Sequence, residues 1–199
     1  MKNLLISLII SVGLMSAAQA GDAVAGKAKA ATCGACHGAD GNSLAPNFPK
    51  LASQGERYLV KQITDIKNGV RQVPEMMGFV ANLSETDIAD ISAYFASQAT
   101  SGGAADPALV ETGKRIFLAG NETTGVPACI ACHSADGKGI AAAGFPRIAG
   151  QHAAYTEKQL KDFYSAKRTN DASNVMRDIA SRMHMDEIKA VSSYIQGLK

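Results

Sequence analysis

All four cysteines of this chain belong to two copies of the pattern Cys-x-x-Cys-His. Two thiols one helical turn apart can each form a thioether bond to a vinyl group of the same porphyrin. The histidine that follows can supply an imidazole nitrogen to the iron. The two motifs therefore predict two covalently bound haem c groups. The predicted haem-binding residues are Cys33, Cys36 and His37 in the first copy, and Cys129, Cys132 and His133 in the second.

Three other uses of paired cysteines fit this sequence less well. Zinc-binding pairs lie about 15–20 residues apart, whereas residues 37–128, 92 in number, separate the two pairs here. A thioredoxin-like redox pair belongs beside a βαβ pattern, and the sequence shows no strand runs of that kind. Two structural disulfides are compatible with an exported protein, but such short loops remove little chain entropy.

The N-terminal residues have the pattern of a secretory signal peptide. Lys2 forms a small positive region, residues 4–15 form an apolar stretch, and residues 18–20 (Ala-Gln-Ala) have the pattern of a cleavage site. The apolar stretch is shorter than the roughly 20 residues that cross a bilayer as a helix. A retained N-terminal anchor is the alternative. We predict that residues 1–20 are removed on export to the bacterial periplasm, where c-type haem is attached.

Composition limits both the partners and the core of the protein. The formal net charge of +2 is close to zero, which argues against nucleic-acid binding. Removal of residues 1–20 leaves 179 of the 199 residues, enough for one ordinary domain or two small ones. With no tryptophan and 6% aromatic residues, the chain offers little large apolar surface. We expect two haem groups to supply that surface, and the apoprotein to fold poorly.

The remaining sequence contains an internal repeat. Residues 48–54 (Phe-Pro-Lys-Leu-Ala-Ser-Gln) reappear as residues 145–151 (Phe-Pro-Arg-Ile-Ala-Gly-Gln). A repeat of this kind indicates gene duplication. The Gly- and Ala-rich residues 100–106 between the copies are typical of a linker. We therefore predict a first domain over residues 21–99 and a second over residues 107–199.

Each copy has a helical pattern, so the predicted fold class is all-α. Residues 24–31 are expected to lead as a helix into the first haem motif. Residues 57–68 place apolar side chains on one face and stop at Gly69, which is typical of the position after a helix. Ser84 resembles an N-cap with an acidic residue three positions later. The second copy has His184 at that position, so we expect this cap to be lost there.

A haem iron held by one histidine needs either a sixth ligand or an open face. This choice separates an electron carrier from an enzyme or a gas binder. A methionine sulfur opposite histidine stabilises the reduced iron and raises its potential. Met76 and Met176 occupy equivalent positions in the two copies, and we expect each in an irregular stretch after the middle helix. We predict both as axial haem ligands.

The other methionines are weaker candidates. Met77 lies beside the first predicted ligand, but its repeat partner is Arg177, which cannot ligate iron. Met183 occupies the position of a leucine in the first copy, so we expect it in the core. Met185 is expected near the surface.

Two histidines and two arginines have less defined roles. His152 and His184 have no histidine counterpart in the first copy, and we expect them to be solvated or locally hydrogen-bonded. Arg71 and Arg168 recur in the repeat and suit a bidentate contact with a haem propionate. The alternative for each arginine is a surface position at a helix end.

Two prolines are candidates for orienting the haem-ligating histidines. A ligating histidine commonly donates its other ring N–H to a carbonyl, which fixes the orientation of the ring. The carbonyls of Pro49 and Pro146 recur in the repeat and are the predicted acceptors for His37 and His133. Pro46 is a rival in the first copy only.

With these residues considered together, the chain resembles the cytochrome c4 family. The resemblance covers the chain from Asp22 to Gly197, and its most specific stretches are residues 125–129 and 144–155. It implies two tandem class I cytochrome c domains, each a few helices wrapped around one covalent haem. It further implies iron ligation by the pairs His37/Met76 and His133/Met176. The main departure is the pair Met183-His184, which replaces the usual Leu-Ser before the last helix.

The resemblance also implies a function. Members of this family are periplasmic dihaem carriers that pass single electrons in a respiratory chain. The implied acceptor is a haem–copper terminal oxidase, of the cbb3 type or similar. The implied donor is an upstream enzyme such as a quinol–cytochrome c reductase. The resemblance also implies that electron transfer often takes place close to the inner membrane, with which the protein can associate peripherally.

Two other function classes remain open. The first is a small dihaem oxidoreductase, such as a peroxidase or a thiosulfate dehydrogenase, which would need an open iron and acid–base residues above it. No paired acidic or histidine cluster recurs near Met76 or Met176. The second is a haem-bearing subunit of an oxidase, because interaction surfaces leave little trace in one sequence.

Overall fold

The computed structural model describes residues 21–199, and every regular element in this range is helical. Within the range, β pairing is limited to two isolated bridges, Asn121 with Val126 and Ile140 with Phe145. The predicted all-α fold class is confirmed. The predicted signal peptide, residues 1–20, lies outside the described residues.

The first half of the described chain folds into five α-helices. In chain order they are α1 (Ala23–Lys29), α2 (Gly34–His37), α3 (Glu56–Lys67), α4 (Pro74–Val80) and α5 (Glu85–Ser97). Helix α3 is the one predicted over residues 57–68. Gly69 follows it with a φ of +72°, in the left-handed region that favours glycine.

The second half repeats this order of helices. They are α6 (Val110–Ala119), α7 (Ile130–His133), α8 (Ala153–Tyr164), α9 (Val175–Ala180) and α10 (Met185–Gly197). Two short 3₁₀ turns, Ala141–Ala143 and Ala172–Asn174, are added. The second of these lies where the second copy is three residues longer than the first.

The first and last helices of each half cross at a glycine. A Cβ atom on Gly26 of α1 would lie 1.9 Å from the carbonyl oxygen of Asp90 in α5, and 2.9 Å from the Cβ of Tyr94. Gly113 of α6 has the same relation to α10, since its Cβ would lie 2.3 Å from the carbonyl oxygen of Ala190. Only glycine allows the two backbones to approach this closely.

Each half has its own apolar core next to its helix crossing. In the first half, Leu59, Ile91 and Phe95 are buried together. The core of the second half centres on the fully buried side chains Ile116 and Phe117, and the cluster continues with Val126, Met183, Ile188, Val191 and Ile195. The expected core position of Met183 is confirmed, and Met185 is exposed as expected.

Helices α5 and α10 begin with related caps. The side chain of Ser84 accepts a hydrogen bond from the N–H of Asp87, and the Asp87 carboxylate accepts one from the N–H of Ser84. In the second half the Glu187 carboxylate accepts from the N–H of His184 at 2.9 Å. The prediction that this cap is lost is therefore wrong for one of its two hydrogen bonds. The carboxylate of Glu187 accepts from the N–H of the N-cap residue, as that of Asp87 does in α5.

Within residues 21–199, none of the helices combines the length and the apolar character that crossing a bilayer requires.

Candidate haem sites

Each Cys-x-x-Cys-His motif forms a single helical turn. Cys33, the residue before α2, has helical backbone angles. The N–H of His37 donates to the carbonyl of Cys33 at 3.0 Å. In the second copy the N–H of His133 donates to the carbonyl of Cys129 at 2.9 Å. Side chains at positions i and i+3 of such a turn share one face. The two thiols of each motif are therefore placed to meet one porphyrin.

The ring of each motif histidine is held by the carbonyl of a proline. Nδ1 of His37 lies 2.9 Å from the carbonyl oxygen of Pro49, and Nδ1 of His133 lies 2.9 Å from that of Pro146. Both predicted carbonyls are confirmed as partners. A carbonyl can only accept a hydrogen bond, so Nδ1 carries the proton. Nε2 then keeps the lone pair that binds a metal when the imidazole is neutral.

Burial favours the neutral form of both imidazoles. It lowers the pKa of His37 and of His133, and the bond to the proline carbonyl opposes this shift only in part. A neutral ring with its Nδ1 proton donated elsewhere is the form that ligates haem iron through Nε2. The two thiols and this imidazole therefore fit a c-type haem.

The cysteines do not form a zinc-type site. Within residues 21–199, His, Cys, Asp and Glu side chains form no group of three or more that could hold a metal ion. Burial raises the pKa of the Cys33 thiol, and it raises that of Cys129 to about 11. Since thiolate is the form that ligates zinc, these environments disfavour such a site.

The two predicted methionine ligands occupy equivalent helices. Met76 lies in α4, which packs against α3, and Met176 lies in α9, which packs against α8. The expectation of irregular stretches is wrong, because Pro74 starts a helical turn in the first half and residues 175–180 form one in the second. Both methionines are half-buried, whereas the rival Met77 is 40% exposed.

Arg71 reaches across to the second half of the chain. One terminal nitrogen of its guanidinium donates to the hydroxyl of Tyr155 and to Oε1 of Gln159, both at 2.9 Å. The other terminal nitrogen donates to Gln62 of its own half at 2.9 Å. The alternative of a surface arginine at a helix end is therefore wrong for this residue.

Arg168 makes the reciprocal contacts. It is buried, and it donates to Oε1 of Gln62 at 2.9 Å and to the hydroxyl of Tyr58 at 3.1 Å. A third bond at 2.8 Å joins it to Gln159 of its own half. The two arginines thus form a pseudo-symmetric polar network that joins the halves, and the surface alternative is wrong for Arg168 as well.

His152 also joins the two halves. Its Nε2 lies 2.8 Å from the carbonyl oxygen of Ser43, 109 residues earlier in the chain. The expectation that this histidine is solvated or locally bonded is wrong, because the two halves pack together at this point. His184 is exposed, as expected.

Sequence reasoning missed two glutamines at the same interface. Gln54 of the first half hydrogen-bonds the backbone of Arg147, and Gln151 of the second half hydrogen-bonds the backbone of Lys50. These glutamines recur at the end of the repeated stretches 48–54 and 145–151. The recurrence of a long polar side chain at the end of both stretches is the feature of the sequence that could have indicated this interface.

Comparisons with known proteins agree with this duplicated architecture. The cytochrome c family profile matches residues 23–99 and again residues 110–199. Cytochrome c4 of Pseudomonas aeruginosa is 59% identical to this chain over the full length of both. The crystal structure of reduced recombinant cytochrome c4 from Pseudomonas stutzeri superposes with a TM-score of 0.89 at 54% identity, covering 90% of this chain and 100% of that one.

A further relative has a more specific description. The thiosulfate dehydrogenase electron acceptor of Stutzerimonas stutzeri is 36% identical, over 83% of this chain and 78% of its own length. Two matched cytochrome c regions and full-length cytochrome c4 relatives leave no ambiguity about the family. This chain belongs to the cytochrome c family as a dihaem electron-transfer cytochrome of the cytochrome c4 group, with two covalently bound haem c groups.

Proposed function

We propose that this cytochrome carries single electrons through a respiratory chain in the bacterial periplasm, and that it is a carrier rather than an enzyme. Its acceptor is a haem–copper terminal oxidase, of the cbb3 type or similar, and its donor is an upstream enzyme such as a quinol–cytochrome c reductase. The observation that carries the proposal is the pair of motif histidines held by proline carbonyls, of which His37 is buried and His133 half-buried. A rigid, pre-oriented ligand in both halves suits repeated electron transfer better than substrate turnover.

In this proposal each half supplies a complete set of haem contacts. Cys33 and Cys36 in the first half, and Cys129 and Cys132 in the second, would hold the haem groups through thioether bonds. The proposed axial ligands are His37 with Met76, and His133 with Met176. The equivalent placement of the methionines in α4 and α9 supports this assignment.

Electron transfer by such a protein needs little chemistry from the polypeptide. The haem iron, when bound, supplies a one-electron couple between its ferric and ferrous states. The chain holds the histidine ring through a partly buried hydrogen bond, and it holds the methionine on a helix that packs against α3 in the first half and α8 in the second. Keeping both ligands fixed limits rearrangement on each transfer. The reciprocal arginine network keeps the two halves in one relative position.

A second donor is supported by one relative. Because the thiosulfate dehydrogenase electron acceptor of Stutzerimonas stutzeri is 36% identical over most of this chain, a thiosulfate dehydrogenase is a candidate donor. The two donors are distinguished by mixing the oxidised protein with each purified enzyme and its substrate, and by following haem reduction. Rapid reduction by only one of them identifies the donor class.

Substitution of the methionines tests the ligand assignment. A methionine sulfur on ferric haem gives a weak charge-transfer band in the far-red to near-infrared. Met76→Ala and Met176→Ala are each expected to remove about half of this band, because one of two methionine-ligated haems is lost in each. Met77→Ala is the matched control and should retain the full band, since its side chain is 40% exposed.

Carbon monoxide binding separates a carrier from an enzyme. The reduced wild-type protein is expected to resist carbon monoxide, and the two ligand variants are expected to bind it at one haem each. Rapid binding by the wild-type protein would contradict the proposal and favour a peroxidase-like or thiosulfate-oxidising enzyme. A full charge-transfer band in Met176→Ala would contradict the assignment of Met176 as an iron ligand.

The acceptor is tested with membranes that contain a haem–copper oxidase. Reduced protein should be reoxidised rapidly by these membranes, and cyanide should abolish the reaction. Reoxidation no faster than with oxidase-deficient membranes would contradict the proposed acceptor. Stable copurification with the oxidase at low salt would instead indicate a haem-bearing subunit.

A further inference from the structure

One peptide group in the first half is hydrogen-bonded at both ends. Its carbonyl, that of Pro49, accepts from Nδ1 of His37 at 2.9 Å. Its N–H, that of Lys50, donates to Oε1 of Gln151 at 2.9 Å. Since Gln151 belongs to the second half, a continuous chain of hydrogen bonds runs from the histidine of one half to a side chain of the other.

The second half has the reciprocal chain. The carbonyl of Pro146 accepts from Nδ1 of His133 at 2.9 Å, and the N–H of Arg147 in the same peptide group donates to Oε1 of Gln54 at 2.8 Å. Gln54 lies in the first half. Each haem-ligating histidine is therefore connected, through one peptide group, to a glutamine of the opposite half.

Further bonds fix both glutamine amides in place. The side-chain nitrogen of Gln54 donates to the carbonyl of Arg147 at 2.8 Å, and that of Gln151 donates to the carbonyl of Lys50 at 2.9 Å. Each Oε1 also accepts the N–H of the next residue in its own chain segment, at 2.9 and 3.0 Å. Gln54 and Lys50 are buried. The amides have one orientation, in which only the oxygen can face the peptide N–H.

We propose that Gln54 and Gln151 are positioning residues that tune the haem of the opposite half. The proposal rests on the function proposed above, in which His37 and His133 ligate iron. A peptide whose N–H donates a hydrogen bond becomes more polarised, and its carbonyl becomes a stronger acceptor. A stronger acceptor draws the Nδ1 proton and makes the imidazole a more electron-rich ligand.

The direction of the effect follows from the charge on the iron. An electron-rich imidazole favours the ferric state over the ferrous state, so each glutamine lowers the reduction potential of the opposite haem. Removal of Gln54 therefore raises the potential of the haem bound by His133. Removal of Gln151 raises that of the haem bound by His37. The crossed pattern arises because each chain of bonds starts in one half and ends in the other.

The size of the effect is set by bond cooperativity. A neighbouring hydrogen bond strengthens the next one by a modest fraction, so we expect about a twofold change in the ratio of reduced to oxidised haem. At 59 mV per tenfold change for one electron, a twofold change corresponds to about 18 mV. A redox titration followed by nuclear magnetic resonance resolves a shift of this size for each haem separately.

The experiment compares holoprotein variants. Gln54→Leu and Gln151→Leu each remove one chain of bonds. Gln54→Asn keeps an amide that is one methylene too short to reach Arg147, and it serves if the leucine variant does not fold. His152→Leu is the control, because it removes a different bond between the halves, that to Ser43, which leads to no haem ligand.

The expected result is a crossed shift. Gln54→Leu raises the potential of the second haem only, and Gln151→Leu raises that of the first haem only. In the reduced protein, the Nδ1 proton resonance of the affected histidine moves upfield because its hydrogen bond is weaker. His152→Leu leaves both potentials unchanged.

Three results would overturn the inference: no shift in either variant, equal shifts of both haems, or a shift confined to the haem of the substituted half. The methionine charge-transfer band is measured in every variant. If it is intact while the potentials do not move, the tuning inference fails and the proposed ligation stands. If wild-type protein lacks the band, the proposed function itself fails.

Discussion

Replacement of Gly26 by alanine tests whether the close crossing of α1 and α5 sets the stability of the first haem domain. An alanine Cβ at this position would lie 1.9 Å from the carbonyl oxygen of Asp90, 2.5 Å from its carbonyl carbon and 2.9 Å from the Cβ of Tyr94. The two nearest atoms belong to the backbone of α5. No side-chain rotation can therefore relieve the clash, and the two helices must separate.

The size of the effect follows from this geometry. Ordinary contact begins near 3.4 Å, so α1 must move by roughly 1.5 Å. Overpacking of this kind costs about 1–3 kcal/mol, and a backbone clash belongs at the upper end. Alanine recovers about 1 kcal/mol through its higher helix propensity. We expect a net loss of about 2 kcal/mol, or roughly 8–16 °C in the melting temperature of a domain of this size.

The assay is thermal unfolding of the holoprotein. Circular dichroism reports the loss of helix, and haem resonances in nuclear magnetic resonance report which half unfolds. Helix α1 leads directly into the motif at residues 33–37, so the first haem should lose its ligation at a lower temperature than the second. Gly113→Ala should produce the opposite order, because its Cβ would lie 2.3 Å from the carbonyl oxygen of Ala190.

A matched control is provided by Gly102, where an added Cβ meets no heavy atom within 4 Å. Gly102→Ala should leave the melting temperature unchanged or raise it slightly. If Gly26→Ala were as stable as Gly102→Ala, the close approach of α1 and α5 would not constrain the domain, and the reasoning from backbone contact would be refuted.

Two further predictions concern charged residues. Arg168→Lys keeps the positive charge but loses the planar guanidinium that reaches Gln62 across the interface. We expect the free energy of unfolding to fall by about 1–3 kcal/mol, because buried acceptors lose their donors. An unchanged midpoint of unfolding in urea would contradict this. Lys29 donates hydrogen bonds to the carboxylates of Asp90 and Asp87, and these bonds lower the pKa of both groups below the ordinary value of 3.8. A carboxylate with a depressed pKa stabilises the fold above its unfolded pKa, and this contribution is lost as the pH falls below about 4. The difference in unfolding free energy between wild type and Lys29→Met should therefore shrink below pH 4. A difference that does not change with pH would argue against the ion pairs.

The haem motifs and their immediate partners were predictable because their geometry is local or repeated. The Cys-x-x-Cys-His sequence forms one helical turn in both halves, so the relation of Cys33 to His37 follows from their short spacing. The proline carbonyls were found because Pro49 and Pro146 recur at the same place in two copies. Duplication thus served as an internal control on each assignment.

Local caps and helix positions were predicted less completely. Ser84 is a favoured N-cap residue and predicts its cap, whereas His184 is not, and the cap there depends on the carboxylate of Glu187 three residues later. The sequence predicts irregular stretches around Met76 and Met176, because a helix of six or seven residues is too short to show a clear apolar period.

The chemistry of this protein, its two haems, its duplication and its helical class follow from the amino-acid sequence, because these depend on residue types at short, fixed spacings. The tertiary structure alone decided how the halves meet. Arg147 and Gln54 are 93 residues apart, and His152 and Ser43 are 109 apart. Contacts of this kind depend on how two folded surfaces fit together, and surface fit leaves no periodic pattern in the chain. The link from each histidine to the opposite half is therefore a property of the assembled fold.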